Sequence, residues 1–233
     1  MANTSFTGKV RSESGFQQTS KNTSTGVISE APFNIHTTAG DATNLTTSAG
    51  ANNFSLSNAG NVLGITPNAH GSGIADAAIN TFVNKIGGLI YTTILIDLHG
   101  GLASGGGADD IIGTDGGTAN AYIAELTTGV NGIPMEVEMS CLEVPTGGDP
   151  DINLVASATA TDAENAAVTS GTVILNNGDF SLGMYVSADS GATLAALTKK
   201  YLYLTTGAAT EAAYTAGKLV IKITGAAYDY ANG

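Results

Sequence analysis

Tryptophan is absent from this chain of 233 residues, and cysteine and arginine occur once each, as Cys141 and Arg11. A single cysteine excludes an intramolecular disulfide, and its position between Met139 and Glu143 predicts a small packed apolar side chain. The chain has 8 basic and 20 acidic residues, and its formal charge is -12. So few cations exclude the basic patch that neutralises phosphates, and we expect neither nucleic acid nor an anionic membrane as a partner.

Long apolar runs are also lacking. The longest apolar stretch, residues 86–98, contains Tyr91, two threonines and Asp97, and it is too short and too polar to span a bilayer. The first residues show neither a charged n-region nor an apolar h-region. We therefore expect no signal peptide, no membrane segment and synthesis in a cytoplasm.

The amino-terminal quarter of the chain is poor in large apolar side chains. Ser, Thr, Asn, Gln and Gly make up more than half of residues 1–64. Such a segment cannot bury enough apolar surface to offset the entropy of ordering its backbone. The sequence predicts an extended polar arm over residues 1–65 that makes contacts between subunits. Its apolar anchor points are Phe6, Val10, Phe16, Phe33 and Phe54.

Residues 66–233 predict a mainly β domain, an antiparallel β-sandwich or a jelly-roll-like barrel. Short runs rich in β-branched and aromatic residues, bounded by glycine, recur along it. These predicted strands are residues 89–98, 121–128, 135–144, 152–160, 172–175, 180–186, 200–205 and 218–224. Residues 89–98 are typical of a central strand. Asn177 and Gly178 predict a hairpin turn that joins 172–175 to 180–186.

Two of these strands alternate between apolar and polar residues, which predicts one buried and one wet face. The predicted buried positions are Met135, Val137, Met139, Cys141, Leu219, Ile221 and Ile223. Residues 74–85 instead have apolar side chains at helical spacing, followed by Gly87 and Gly88. This predicts a short helix, with two strands as the alternative interpretation.

Candidate ligand sites are sparse. The glycine-rich residues 100–107 lack the Lys-Ser/Thr pair of a phosphate-binding loop and predict a long hairpin loop. Five aspartates near glycines are weak candidates for metal ligands: Asp109, Asp110, Asp115, Asp149 and Asp151. Neither cluster has the spacing of a calcium loop, and aspartate is common in turns. We expect no bound metal and no cofactor.

No catalytic arrangement stands out. His36, His70 and His99 are too scattered to suggest a zinc site, and the Gly-x-Ser-x-Gly elbow of a serine hydrolase is missing. Glu136 and Glu138 share a strand face, as the paired carboxylates of a glycosidase do. Alternating surface charge explains that pair without any chemistry, and we expect a protein that is not an enzyme.

The chain resembles small virion structural proteins of marine tailed bacteriophages. The likeness lies in residues 7–12 (TGKVRS) with 15–16 (GF), 90–98 (IYTTILIDL), 141–143 (CLE), 147–152 (GGDPDI), 201–204 (YLYL) and 214–218 (YTAGK). The resemblance implies a head-associated role as a decoration or cement protein that binds the outside of the major capsid protein. It implies no catalytic residues.

The expected partners are the major capsid protein and copies of the chain itself, in a virion assembled in the host cytoplasm. We expect a trimer, because threefold positions are common decoration sites and edge strands need covering. A tail or fibre component is one alternative. A carbohydrate-binding adhesin module is another, for which Tyr201, Tyr203, Tyr228 and Tyr230 would supply stacking surfaces.

Overall fold

The computed structural model describes residues 18–21, 24–26, 28–31, 47–48, 51–52, 62–176, 178–188, 194 and 196–227. The chain forms two compact units, Met1–Ser57 and Asn58–Gly233. In the first unit, strands β1 (Gln18–Lys21) and β2 (Ile28–Ala31) pair antiparallel, and so do β3 (Thr47–Ser48) and β4 (Ala51–Asn52).

The second unit is mainly β, as predicted. Its strands are β5 (Val62–Ile65), β6 (Ile79–Ile86), β7 (Leu89–Asp97), β8 (Leu102–Ser104), β9 (Gly113–Thr114), β10 (Ala124–Leu126), β11 (Ile133–Thr146), β12 (Ile152–Ser157), β13 (Thr172–Leu175), β14 (Tyr185–Ala188), β15 (Lys200–Thr206), β16 (Ala212–Ala213) and β17 (Ala216–Ala226). Within residues 62–176, the helical turns are the 3-10 turns Asp76–Ala78 and Leu98–Gly100 and the helix α1 (Thr128–Asn131).

Three antiparallel sheets arise from these strands. A six-stranded sheet has the order β14-β11-β17-β7-β6-β5, a four-stranded sheet the order β10-β15-β12-β13, and a small sheet the order β16-β8-β9. The two larger sheets contribute side chains to one buried apolar cluster, including Ile94, Ile221, Leu154 and Leu204. This is the arrangement of a β-sandwich, and it confirms the predicted fold class.

The predicted alternation holds in β17. Leu219, Ile221 and Ile223 are buried, whereas Lys218 and Lys222 are exposed. β7 is confirmed as an interior strand, between β17 and β6.

In β11, Val137, Met139 and Cys141 are buried, but the prediction for Met135 is wrong. A register shift between Pro134 and Glu136 turns Met135 outward, where 41% of it is exposed. A β-bulge of this kind reverses the inside and outside positions of a strand.

The predicted helix over residues 74–85 is wrong, and the alternative of two strands is also not found, because the stretch contains one 3-10 turn and one strand. Only Asp76–Ala78 is helical, and β6 then pairs with β7 along its whole length, from Ile79↔Ile96 to Ile86↔Leu89. Gly87, expected to end the helix, forms the hairpin turn with a φ of 60°, a conformation that favours glycine.

The predicted boundary at residue 65 also moves. Residues 62–65 form β5, which pairs with β6 as the edge strand of the six-stranded sheet. They therefore belong with the second unit and not with the arm.

The predicted hairpin around Asn177 and Gly178 is wrong in its pairing. β13 pairs with β12 in one sheet, whereas β14 pairs with β11 in the other. Asn177 itself lies outside the described residues. Between the two strands, Phe180 is buried in the core and its N–H donates to the Pro150 carbonyl at 3.0 Å. Because this ring is buried between the sheets, the chain after β13 crosses from one sheet to the other and does not return alongside β13.

One loop prediction and one strand prediction also change. Residues 100–107 are not one long loop, because they contain β8, which is wholly buried and pairs with β16 and β9. Within residues 121–128 only β10 is a strand, and Thr127 caps the short helix α1 by accepting a bond from the Val130 N–H at 3.4 Å.

Candidate interaction surface

The outer face of the six-stranded sheet carries large apolar side chains that contact solvent. On β6, Phe82 is 46% and Ile86 is 45% exposed, and on β7, Tyr91 is 37% and Leu95 is 38% exposed. These residues face outward because the alternate positions of β7, such as Ile94 and Ile96, point into the core. We therefore take this apolar patch as the candidate interaction surface.

The apolar residues are cross-strand neighbours and form one continuous surface. Leu95 lies between Asn80 and Val220, Thr93 between Phe82 and Lys222, Tyr91 between Asn84 and Thr224, and Leu89 between Ile86 and Ala226. We call these four rows the bare face. Lys222 is the one charged residue in them, and its neighbour on β11 is Glu138.

Several charges on the same side of the sheet lie beyond the bare face, and Glu136 on β11 lies beside Thr224. Lys218 Nζ lies 2.5 Å from Glu143 Oε2 and 3.7 Å from Asp97 Oδ2. Its hydrogen bond lowers the pKa of Glu143, and the same bond raises the pKa of Lys218. Glu138 Oε1 accepts a bond from the Tyr185 hydroxyl at 2.7 Å.

A groove of about 560 Å³ adjoins the Leu95 row. Residues 76–80 form one wall, and Leu142 and Lys218 lie on the other side. Leu142 is 55% exposed, beside the register shift between Cys141 and Glu143. The groove continues the surface past the end of β7, and Asp76, Asp97 and Lys218 are among its lining residues.

The outer face of the four-stranded sheet is covered instead. The connection from β12 to β13 crosses it: the Tyr203 hydroxyl donates to the Thr159 carbonyl at 2.8 Å, and Ser157 Oγ donates to the Thr169 carbonyl at 2.6 Å. Every residue of β12 is buried as a result. Burial also raises the pKa of Tyr203 to about 12.

The two aspartate clusters predicted from sequence meet at the end of β15. The Asp109 N–H donates to the Thr206 carbonyl at 2.8 Å, and the Gly207 N–H donates to the Asp151 carbonyl at 2.7 Å. A Cβ on Gly207 would lie 2.0 Å from Asp151 Cγ, so only glycine allows this approach. Asp110 lies beside Asp109, and the Thr206 N–H donates to its carbonyl at 2.9 Å.

Asp149 has a structural role in this region. It is buried, its Oδ1 accepts from the Asp151 N–H at 3.0 Å, and its Oδ2 accepts from the Ala208 N–H at 2.6 Å. Its carbonyl accepts from the Tyr214 hydroxyl at 2.8 Å, and its N–H donates to Ser104 Oγ at 3.3 Å. Asp149 therefore connects three separate strands and loops.

Like charges lie close to Asp151 and to Glu164. Burial, followed by the charges of Asp149, Asp179 and Asp109, raises the pKa of Asp151. Burial, followed by the charges of Asp115, Glu211 and Asp110, raises the pKa of Glu164. Within residues 62–176, 178–188 and 196–227, no group of three or more His, Cys, Asp or Glu side chains is arranged to hold a metal ion.

The histidines and Cys141 have local partners. His70 Nε2 lies 3.3 Å from Asp76 Oδ1, and the backbone N–H of His99 donates to Asp97 Oδ1 at 3.2 Å. His36 lies outside the described residues. Cys141 is buried, as predicted, and burial raises the pKa of its thiol, whose Sγ donates to the Glu143 carbonyl at 3.3 Å.

Of the four tyrosines proposed for sugar stacking, the two that the structure describes are largely buried. Tyr203 is fully buried, and Tyr201 is half-buried with its ring centroid 4.9 Å from that of Tyr122. Tyr228 and Tyr230 lie outside the described residues, as do the arm positions Phe6, Val10, Phe16, Phe33 and Phe54.

The bare face was not predicted from the sequence. Its signal was present in β6, where Asn80, Phe82, Asn84 and Ile86 alternate with Ile79, Thr81, Val83 and Lys85. The helical interpretation of residues 74–85 obscured that alternation, because it placed Phe82 on an inward stripe.

Comparison of the chain with protein-family models, with curated proteins and with solved structures finds no match in any of the three. A search of the described helices finds none that is long and apolar enough to cross a membrane.

Proposed function

We propose that this chain is a non-enzymatic virion structural protein, a decoration protein that binds the outside of a tailed-phage capsid and stabilises it. The observation that carries the proposal is the bare face, an apolar surface almost free of charge on a regular antiparallel sheet. A flat surface of this kind suits association with another protein surface, which buries it without leaving ions unpaired.

The rest of the chain supports the same role. A cement protein needs a stable core and many weak contacts that symmetry repeats over the shell. The sandwich provides the core, and the polar composition of the amino-terminal residues suits an arm that crosses subunit boundaries. The sequence resemblance to virion proteins of marine tailed phages favours the capsid surface, with the major capsid protein as partner.

Copy number in purified particles tests the proposal. Quantitative mass spectrometry of particles that contain this chain should find it in proportion to the major capsid protein, in hundreds of copies. A copy number that matches a single symmetric ring would instead assign the chain to the tail or portal. Absence of the chain from purified particles would contradict a virion role.

A second test separates the arm from the sandwich. Because β5 belongs to the six-stranded sheet, the truncated chain should begin at Asn58 and not at residue 66. We expect residues 58–233 to keep the thermal transition of the full chain but to lose binding to particles that lack the native copy. Replacement of Phe6 or Phe16 by Ala in the full chain should weaken particle binding without changing stability.

A carbohydrate-binding module is the second candidate, and exposed Tyr91 and Tyr185 on the outer side of the six-stranded sheet favour it. A glycan array probed with the full chain tests it. Binding that Tyr91→Ala and Tyr185→Ala both abolish would support this function over the capsid role.

A further inference from the structure

We propose that a pocket on the outer side of the four-stranded sheet binds an alkylammonium group, either a lysine side chain of another protein or a free aliphatic amine. The pocket lies between this sheet and residues 158–171, the connection from β12 to β13. It belongs to the sheet that does not carry the bare face. The site therefore goes beyond the capsid role and does not depend on it.

The pocket has a buried floor and an exposed rim. Its volume is about 300 Å³, and the residues that line it include Asp109, Val155, Ala167, Val168, Val173 and Thr205. Thr205 is 0% and Val155 is 4% exposed, and these two form the floor. Asp109 and Val173 are exposed and stand at the rim. Pockets of this size are among the smaller ones that hold ligands, so the site suits one side chain or a small amine.

The floor contains a buried polar atom without a partner. Thr205 Oγ1 has no hydrogen bond among the residues that the structure describes, and neither does Oδ1 of Asn153, its cross-strand neighbour. Asp151, two residues before Asn153 and so on the same side of the sheet, has an unpaired Oδ1 as well. Such buried atoms are rare in proteins because each one costs free energy. All three can accept a hydrogen bond, so the missing partner is a donor.

The charge around the pocket favours a cation as that donor. Asp109 is the one charged residue among the described residues that line the pocket. Burial, followed by the charges of Asp149, Asp179 and Asp109, raises the pKa of Asp151, so carboxylates are crowded at this end of β15. A concave site with charges of one sign attracts the opposite charge. An ammonium group supplies that charge together with three N–H donors.

The apolar lining favours an organic cation over a metal ion. Calcium takes about six or more oxygen ligands, whereas the lining side chains provide one carboxylate and one hydroxyl. Val155, Val168 and Val173 provide an apolar surface beside these two groups. A lysine side chain matches this combination, because its methylene stem packs on apolar surface while its compact ammonium group donates hydrogen bonds. We assign the ammonium group to the carboxylate of Asp109 and the hydroxyl of Thr205.

Titration of the isotope-labelled full chain with n-butylammonium, followed by amide chemical shifts, tests the site. We expect saturable shifts centred on residues 109, 155, 167–173 and 205, with a dissociation constant on the order of millimolar for so small a ligand. The neutral analogue n-butanol has the same stem without the charge. It should bind at least about tenfold more weakly.

Substitutions identify the groups that hold the ammonium. Thr205→Val removes the unpaired hydroxyl and should weaken binding about tenfold, whereas Thr205→Ser keeps the hydroxyl and should retain binding. Asp109→Asn should weaken binding by a similar factor. Asp115→Asn is the matched control, because it removes the same charge from an exposed aspartate that does not line the pocket, and it should leave binding unchanged.

Thermal melts establish that each variant is folded. Thr205→Val should not lower the melting temperature, because Thr205 Oγ1 has no partner in the described part of the chain. If that variant fails to fold, Asp109→Asn against Asp115→Asn decides the question.

Two further probes distinguish the sources of the amine. Cadaverine represents a free amine, and lysine with its backbone groups acetylated and amidated represents a side chain within a protein. Tighter binding of cadaverine would assign the pocket to a small amine. Equal or tighter binding of the capped lysine would assign it to a partner protein.

Four results would overturn the proposal. One is a set of shifts that do not saturate below about 100 mM. Another is Asp115→Asn weakening binding as much as Asp109→Asn does, which would indicate general attraction to an acidic surface. The third is unchanged affinity in folded Thr205→Val. The fourth is displacement of n-butylammonium by an equal concentration of calcium, which would assign the pocket to a metal ion. None of these results bears on the capsid role, which copy number in particles tests.

Discussion

The two large sheets of this sandwich share one core but differ on their outer faces. The connection between β12 and β13 covers the outer face of the four-stranded sheet over β12, which is buried on both sides, whereas Val173 on β13 stays 49% exposed. On the outer face of the six-stranded sheet, Phe82, Ile86, Tyr91 and Leu95 of β6 and β7 are exposed, and no such covering connection is seen within residues 62–176.

The difference shows where the apolar content of this chain is used. On the covered sheet, outward side chains such as Val155 and Tyr203 are part of the folded core. On the bare face, outward side chains contribute little to folding and are available for association. The same residue types thus serve stability on one sheet and, in the proposed role, binding on the other, and substitutions can separate the two.

The largest contrast should come from a charge placed on each outer face. Val155 is 4% exposed, so Val155→Asp buries a carboxylate without a partner and should cost about 5 kcal/mol of unfolding free energy. Leu95→Asp, at a position 38% exposed, should cost less than about 1 kcal/mol in the monomer. Urea denaturation of the full chain measures both. Equal losses would contradict the distinction between the covered and the bare face.

A second pair of substitutions compares the two sides of one strand. Ile221 is fully buried on the inner side of β17, and Ile221→Ala should cost about 3 kcal/mol through lost burial and a residual cavity. Lys222 points outward, and Lys222→Ala should change stability by less than about 0.5 kcal/mol. Denaturation midpoints give the comparison, and similar values for both would mean that the register of β17 is wrong.

A smaller effect should distinguish the tyrosine hydroxyls of the two sheets. Tyr203→Phe removes the bond to the Thr159 carbonyl beneath the covering connection and should cost about 1 kcal/mol. Tyr185→Phe removes an exposed bond to Glu138 and should cost less, because water replaces the lost partner. Amide hydrogen exchange in residues 158–171 should rise in the first variant only. A rise in both would contradict a local seal.

The carboxylates at the end of β15 should respond weakly to pH. The pKa of Asp151 is raised in the folded chain, so the folded state binds that proton more tightly than the unfolded state does. Ionised Asp151 therefore lowers stability above its folded pKa, and the penalty shrinks as the pH falls below that value and is gone below the unfolded pKa. Asp151→Asn should raise the melting temperature slightly at neutral pH, with a gain that shrinks in acid. A loss of stability at neutral pH would contradict this account.

The smallest expected effect is that of a chelator. Addition of EDTA should leave the melting temperature of the full chain unchanged, because we expect no bound metal cation. A metal cation that preferred the folded state would add stability, and its removal would lower the melting temperature. A drop that calcium restores would reveal a cation site among Asp109, Asp110, Asp115, Asp149 and Asp151.

Patterns with a period of two predicted the strands well where a strand has one wet face. β17 and the middle of β11 match their predicted inward positions, because alternation follows directly from the pleat. The pattern failed at Met135, where a bulge shifts the register, and over residues 74–85, where small residues suit either period. The bare face was missed for the same reason, since a helix over residues 74–85 hides the outward row of β6.

The sequence by itself determined the mainly β class, the absence of an intramolecular disulfide, the strong negative charge and the inward faces of its most regular strands. These depend on composition and on neighbours along the chain. The tertiary structure decided which sheet each strand joins, that Asp109 and Asp151 meet at one end of β15, and that one outer face is covered while the other is bare. Those outcomes depend on contacts between distant segments, such as Tyr203 with Thr159 and Phe180 with the core. Local patterns do not encode such contacts, because burial is a property of the whole packed chain.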